Sequence, residues 1–304
     1  MSFALLGKAV LNISVASYVP NWADVSFFGG IPFGTSTGGA NRWAPSKPAF
    51  PWNGTLDASD FGPICPTSNM ALTQYDMSED CLTLNIWTPA TSSDEKLPVA
   101  FWSYGDGTAP HQSQFNGGGM AGKGNVFVTH NIVPKREESS NSTAGSNSTG
   151  DWGVLHQSLA IEWVHENIAT FGGDPNHITV MGQSFGSAAT YHIVNSNLTA
   201  DNGIVGAISE SGVRLNVTTV EEARALTYET IIANTGAQDQ QVKPVLDYHA
   251  IPEKSIETLR DGAGNPVPYI IGGHSDEYGV SDTFTTTAAD YAAGNYGDYA
   301  DEFT

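Results

Sequence analysis

Apolar residues cluster along this chain in two ways. Several short runs are apolar and β-branched almost without interruption: 82–87, 97–104, 126–133, 177–181, 203–208 and 267–271. Unbroken runs of this length predict strands covered on both faces, whereas alternation would predict a face open to water. Residues 9–17 alternate loosely and predict one further strand. The stretch 151–169 has a different period: Leu155, Leu159 and Trp163 form one ridge, and Ala160, Val164 and Ile168 the adjacent one. That spacing predicts a helix with a wide apolar stripe. Gly172-Gly173 stops it, and Asp174-Pro175 turns the chain toward the next strand. Residues 187–194 and 219–235 predict further helices. Strands alternating with helices imply an α/β fold, a mostly parallel sheet with helices on both faces. Residues 27–34 and the Pro- and Trp-rich stretch to 51 predict loops with aromatic anchors. Residues 137–150, EESSNSTAGSNSTG, have nothing to bury and predict a solvated loop.

One strand-to-helix junction carries chemistry. Gly182-Gln183-Ser184-Phe185-Gly186 follows the run 177–181 and precedes the helical stretch 187–194. Strand, G-x-S-x-G and helix together predict a nucleophile elbow. The turn is so tight that residues two on either side of the serine must be small. The helix that begins there points N–H groups and a positive dipole end at any developing oxyanion.

Composition narrows the reading. The formal charge is −20 with only 12 Lys and Arg among 304 residues, which excludes nucleic acid and anionic membrane as expected partners. No apolar run reaches the roughly 18 residues of a membrane span. Nothing in the chain predicts a metal or a cofactor. The two cysteines, Cys65 and Cys81, have about fifteen residues between them; a bridge closing that loop would stabilise by about 3 kcal/mol. Asn-x-Ser/Thr sequons stand at Asn12, Asn53, Asn141, Asn147, Asn197 and Asn216. Two cysteines with many sequons in Ser/Thr/Asn-rich stretches favour a secreted, glycosylated protein, although residues 1–15 show no clear signal-peptide core.

The ordered motifs resemble those of the type-B carboxylesterases, the cholinesterase-like branch of the α/β-hydrolases. Phe171-Gly172-Gly173-Asp174-Pro175 leading into the elbow is similar to that family's serine signature. Glu79-Asp80-Cys81-Leu82-Thr83-Leu84-Asn85-Ile86 is similar to its second signature, and Gly30-Ile31-Pro32-Phe33 to its early G-I-P motif. The likeness runs from about 26 to about 277, and the sequon-rich composition looks fungal. It implies one incomplete α/β-hydrolase domain over 1–304, lacking the family's C-terminal part, and a small-molecule or lipid ester as substrate. It implies Ser184 as nucleophile and Glu277 as triad acid. The backbone N–H groups of Asp106, Gly107 and Phe185 would form the oxyanion hole, and Cys65 would pair with Cys81.

The departures are as specific as the matches. Gln183 and Phe185 replace the acid and the small residue of the usual G-E-S-A-G, and Asp106 replaces an oxyanion-loop glycine. Asn131-Ile132-Val133 stands for N-Y-R, and Val154-Leu155-His156-Gln157 for L-L-D-Q. No histidine follows Glu277, although the fold's order is serine, acid, histidine. Among the others, His274 is too close to Glu277 to bridge to Ser184. His111 follows the oxyanion loop near the expected pocket mouth. His130 is expected to be a satisfied core residue, His156 and His165 to face solvent from the long helix, and His177 to open the elbow strand. His192 and His249 have no partner that the sequence names. Three readings remain open: a serine ester hydrolase, a non-catalytic relative that binds a partner, and a lipase of another branch.

Overall fold

A computed structural model describes residues 13–14, 22, 24–42, 44–67, 69–105, 108–132, 151–212, 218–219, 245–246, 251, 253–261 and 265–273. The chain divides into two units, Met1–Ile271 and Gly272–Thr304, and the fold described is essentially that of the first. The strands of its main sheet are β1 (Ser26–Pro32), β2 (Thr83–Thr88), β3 (Leu97–Ser103), β4 (Val126–His130), β5 (Gly173–Gln183), β6 (Ile204–Glu210) and β7 (Tyr269–Gly272), beside two short two-stranded pairs, Ile13–Ser14 with Leu56–Asp57 and Thr218–Thr219 with Val245–Leu246. Helices are α1 (Gly118–Ala121), α2 (Trp152–Asn167), α3 (Phe185–Val194) and α4 (Ser255–Asp261). The seven strands form one sheet in the order β7-β6-β5-β3-β4-β2-β1. β4–β3, β3–β5 and β5–β6 are parallel, whereas β1–β2 and β2–β4 are antiparallel. The out-of-sequence neighbours β3 and β5 require a crossover, which the helical connection supplies.

The apolar runs at 97–103, 126–130 and 177–181 became central strands with both faces covered, whereas Val205 of β6 is 39% exposed. Val99, Phe101, Val128, Ile178 and Val180 sit in one core with Leu159, Ala160, Ile161, Val164 and Ile168 of α2 and the adjoining turn, and with Ile193 of α3. Each such aliphatic side chain contributes about 1.5–3 kcal/mol on burial. The expected turn at Asp174-Pro175 lies inside β5, where the β3–β5 ladder shifts register between Leu97 and Val99.

Several expectations are corrected. Residues 27–34 are mostly strand, not loop: β1 pairs with β2 across a register shift between Phe28 and Ile31. The interruption is Gly29-Gly30, with Gly30 at φ 64°, so a bulge conceals the strand's pattern. The 267–271 run does form β7, but Ile270 and Ile271 are 63% and 64% exposed. As the end strand of the sheet, β7 lacks the two-sided cover of the central strands. His156 is buried rather than solvated, because the first turns of α2 are enclosed on nearly every side, with Gln157 and Ser158 buried beside it. His165 is half-buried, its Nδ1 2.9 Å from the Pro175 carbonyl. His130 is in the core as expected, but neither ring nitrogen makes a well-formed hydrogen bond. The helix expected at 219–235 lies almost wholly outside the described residues, as does most of the strand expected at 9–17 and all of the loop at 137–150.

Cys65 and Cys81 form a disulfide. Among the described residues no helix is long and apolar enough to cross a membrane.

Candidate active site

Three strand ends converge where the parallel part of the sheet finishes, the usual position for a site in such sheets. β3 ends at Ser103, β5 at Gln183 and β6 at Glu210, with Gly182 in register with both Ser103 and Ser209. Ser184 links β5 directly to α3, at φ 56° and ψ −116°. A serine held in this region is strained by about 1–3 kcal/mol, which the surroundings must offset. Three backbone hydrogen bonds do so. The Ser184 N–H donates to the Glu210 carbonyl at 2.9 Å, and its own carbonyl accepts from Ser187 and Ala188 at 3.0 and 3.2 Å.

The two elbow glycines are required by contact. A Cβ on Gly186 would collide with the Ser103 carbonyl, and one on Gly182 with the Gly186 backbone. Two more glycines face the serine itself. A Cβ on Gly105 would stand 3.2 Å from the Ser184 Cβ and 2.8 Å from Gln183 Oε1. One on Gly212 would stand 2.8 Å from the Ser184 carbonyl oxygen. Ser184 is half-buried, with the backbone of Gly105 and Gly212 close against it. Gln183 is exposed and Phe185 half-buried at the start of α3.

The layer beneath is polar. The Ser103 hydroxyl donates to Gln157 Oε1 at 2.7 Å, both buried. Ser209 Oγ donates to the Ser187 carbonyl at 3.1 Å and lies 2.6 Å from the Tyr269 hydroxyl. The Tyr104 hydroxyl accepts from the Ile132 N–H at 3.2 Å, and burial pushes its phenol well up. His130 is stacked on Phe101, ring centroids 4.5 Å apart. Burial pulls it down to about 3; the Trp102 backbone opposes this too weakly, and His156 lowers it further. Burial takes His156 down to about 3 as well.

The structure thus brings Gly182, Gln183, Ser184, Phe185 and Gly186 together as one elbow. Asp106, Gly107 and Glu277 lie outside the described residues, as do His249 and His274. Among the described residues no histidine hydrogen-bonds the Ser184 hydroxyl; His111 Nε2 is instead 2.7 Å from the Gly62 carbonyl. His177 is exposed, on the side of β5 away from the elbow. Gly105, Gly212 and the Glu210 carbonyl received no role from the sequence reading. The signal was present in Tyr104-Gly105 and Ser211-Gly212, each a glycine two residues past a strand end. Of the sequons, Asn53 and Asn197 are exposed; Asn12, Asn141, Asn147 and Asn216 lie outside the described residues.

Comparison with known proteins agrees with this geometry. The profile of the carboxylesterase family matches residues 16–243. Carboxylesterase 1F of Mus musculus is 32% identical over 84% of this chain and 55% of its own length. The fumonisin B1 esterase of Sphingopyxis macrogoltabida is 31% identical over 84% of this chain and 53% of its own. The chain therefore spans about half the length of the curated relatives it matches. A crystal structure of a Geobacillus stearothermophilus carboxylesterase superposes with a TM-score of 0.73 at 27% identity, covering 89% of this chain and 62% of that one. A thermophilic PNB esterase gives a TM-score of 0.77 at 23% identity, covering 93% and 69%, and shows the α/β-hydrolase fold alone. A serine elbow of this geometry, on this sheet and within this profile, makes the chain a member of the carboxylesterase family.

Proposed function

We propose that the site hydrolyses a carboxylic ester through a serine acyl-enzyme. The observation that carries the reading is Ser184 at φ 56° between β5 and α3, faced by glycine on both sides. Its hydroxyl would attack the ester carbonyl and expel the alcohol, and water would then release the acid. The tetrahedral oxyanion would be held by the N–H of Phe185 at the helix start, with those of Asp106 and Gly107. Glu277 would orient the histidine base. A Gln183 amide beside the serine adds no charge to the site, and the Phe185 ring narrows the acyl side. The relatives' names span substrates as different as fumonisin B1, cocaine and acylcarnitine, so a small-molecule or lipid ester is the class supported here.

Within these residues no histidine follows Glu277. Without a base, catalysis falls to the residual 10³–10⁴ over water, roughly, that oxyanion stabilisation and binding give. In the fold's order of serine, acid and histidine, that base would lie downstream of Glu277, and a protein of the relatives' length that carries it is expected to turn over fully. A fluorophosphonate probe tests the assignment: labelling at Ser184, abolished by Ser184→Ala, supports it, and no labelling in a protein of the relatives' length would sink it. Asp106 in the oxyanion loop and Phe185 in the elbow also motivate the second reading, a non-catalytic relative that binds a partner. A protein of the relatives' length with an intact fold and no hydrolysis of short or long acyl esters would favour that reading. The disulfide and the exposed Asn53 and Asn197 support a secreted, glycosylated protein. Unchanged mobility after glycosidase treatment of protein from its native source would count against it.

A further inference from the structure

Gly105, which faces Ser184, is tied to Thr108: the Thr108 hydroxyl donates to the Gly105 carbonyl at 2.6 Å. Three residues further on stands His111. Its Nε2 lies 2.7 Å from the Gly62 carbonyl, and a carbonyl only accepts, so the ring donates from Nε2. The same ring packs on Phe61, with centroids 4.8 Å apart, and on Tyr75 at 5.0 Å. Phe61 and Gly62 lie just ahead of Cys65, and Tyr75 lies inside the loop that the Cys65–Cys81 disulfide closes. Beside the ring, Ala109 is buried with Ile64 and Leu72, also of that segment. The Ala109 N–H donates to Gln112 Oε1 at 3.1 Å, and the Gln112 N–H donates back to the Ala109 carbonyl at 3.1 Å. Thr108 to Gln112 is thus a compact unit seated on the disulfide segment through one donated hydrogen bond and two ring contacts.

We propose that His111 is a positioning residue for the reaction at Ser184: by docking this unit on the disulfide segment, it holds Gly105 in place against the nucleophile. The proposal rests on Ser184 being that nucleophile. His111 is a link rather than a base on the contacts observed: its Nε2 donates to Gly62, and its Nδ1 is buried with no hydrogen-bond partner, so neither nitrogen meets the Ser184 hydroxyl.

The test separates ring from donor. His111→Phe keeps the aromatic contacts and loses the donor; His111→Gln keeps a donor and loses the ring. The maximal rate of Ser184 labelling by a fluorophosphonate should fall at least about tenfold in His111→Phe, with the probe's half-saturating concentration unchanged, since small misplacements of reacting groups carry penalties of that size. His111→Gln should recover most of the rate. Reducing the disulfide should slow the wild-type chain similarly and slow His111→Phe little further, because both changes release the same link. Equal labelling rates in wild type and His111→Phe, or fully additive losses on reduction, would overturn the proposal. Amide hydrogen exchange over 104–112 provides a readout that needs no reaction. Faster exchange in His111→Phe is expected and unchanged exchange refutes the link, even if the wild-type chain fails to label and the Ser184 assignment falls.

Discussion

The elbow and the layer directly beneath it are built on opposite principles. At Ser184 the strain is open and local: a non-glycine residue at φ 56°, two glycines forced by contact, and a helix starting at the next residue. Below it, His130 and His156 are relaxed in backbone but enclosed in the core, and burial holds both neutral. The elbow stores its cost in backbone geometry, which is insensitive to pH. The core histidines store theirs as desolvation, which appears only when a proton is offered. The site should therefore fail in two separable ways, by chemistry at the top and by acid underneath.

Replacing the proposed nucleophile is the sharpest break. In a protein of the relatives' length that carries the histidine base, Ser184→Ala should lower labelling and hydrolysis by at least about 10³-fold. It should leave the thermal midpoint essentially unchanged, since the strained backbone stays; a large fall in melting temperature would mean that the hydroxyl supports the fold. Next in size is acid. Both histidines have folded-state values near 3, below the unfolded 6.5, so the unfolded chain binds more protons between those limits. Their contribution is complete above pH 6.5 and is lost progressively as pH falls toward 3. Stability should drop by about 1.4 kcal/mol per histidine for each unit in that window. Denaturant midpoints at several pH values check this, and His156→Leu should flatten the slope; an unchanged slope would show that carboxylates dominate.

Gly186→Ala places a methyl against the Ser103 carbonyl and should destabilise by about 1–3 kcal/mol, seen in chemical denaturation. It should also slow labelling, because β3 and α3 meet there; intact stability with intact labelling would show that the elbow is looser than its contacts imply. The smallest effect belongs to the surface. Arg42 holds Glu79 through two hydrogen bonds of 2.6 Å, each raising or lowering the other's titration as an ion pair does. Both groups are solvent-exposed, and exposed pairs contribute little. Arg42→Ala should leave the melting temperature within error, and a clear drop would place more weight on the loop at 36–42 than its exposure suggests.

The elbow was legible because all its determinants lie within a few residues of Ser184. An apolar strand, a spacing of glycines and a helix suffice, and no distant partner enters. The central strands were legible for a related reason: burial on both faces leaves a continuous apolar run. β1 was missed because its bulge at Gly29-Gly30 erased the run, and the exposure of β7 was missed because edge position is a property of the sheet, not of the strand. His156 was misplaced on α2 because amphipathic spacing marks one face as apolar but does not reveal when the opposite face is covered too. His111 looked like a mouth residue from its place after Tyr104-Gly105; its bond to Gly62 spans 49 residues, and no local pattern records it.

The amino-acid sequence by itself determined the elbow, the alternation of strands and helices, the family and the candidate nucleophile, since each is written in short-range spacing or motif order. The tertiary structure decided what surrounds that nucleophile. It chose Gly105 and Gly212 to face Ser184, turned His130 and His156 into neutral core groups, and tied His111 to the disulfide segment. Those choices depend on which distant backbone carbonyl, ring or strand arrives at a position, and contacts of that range exist only once the chain has folded.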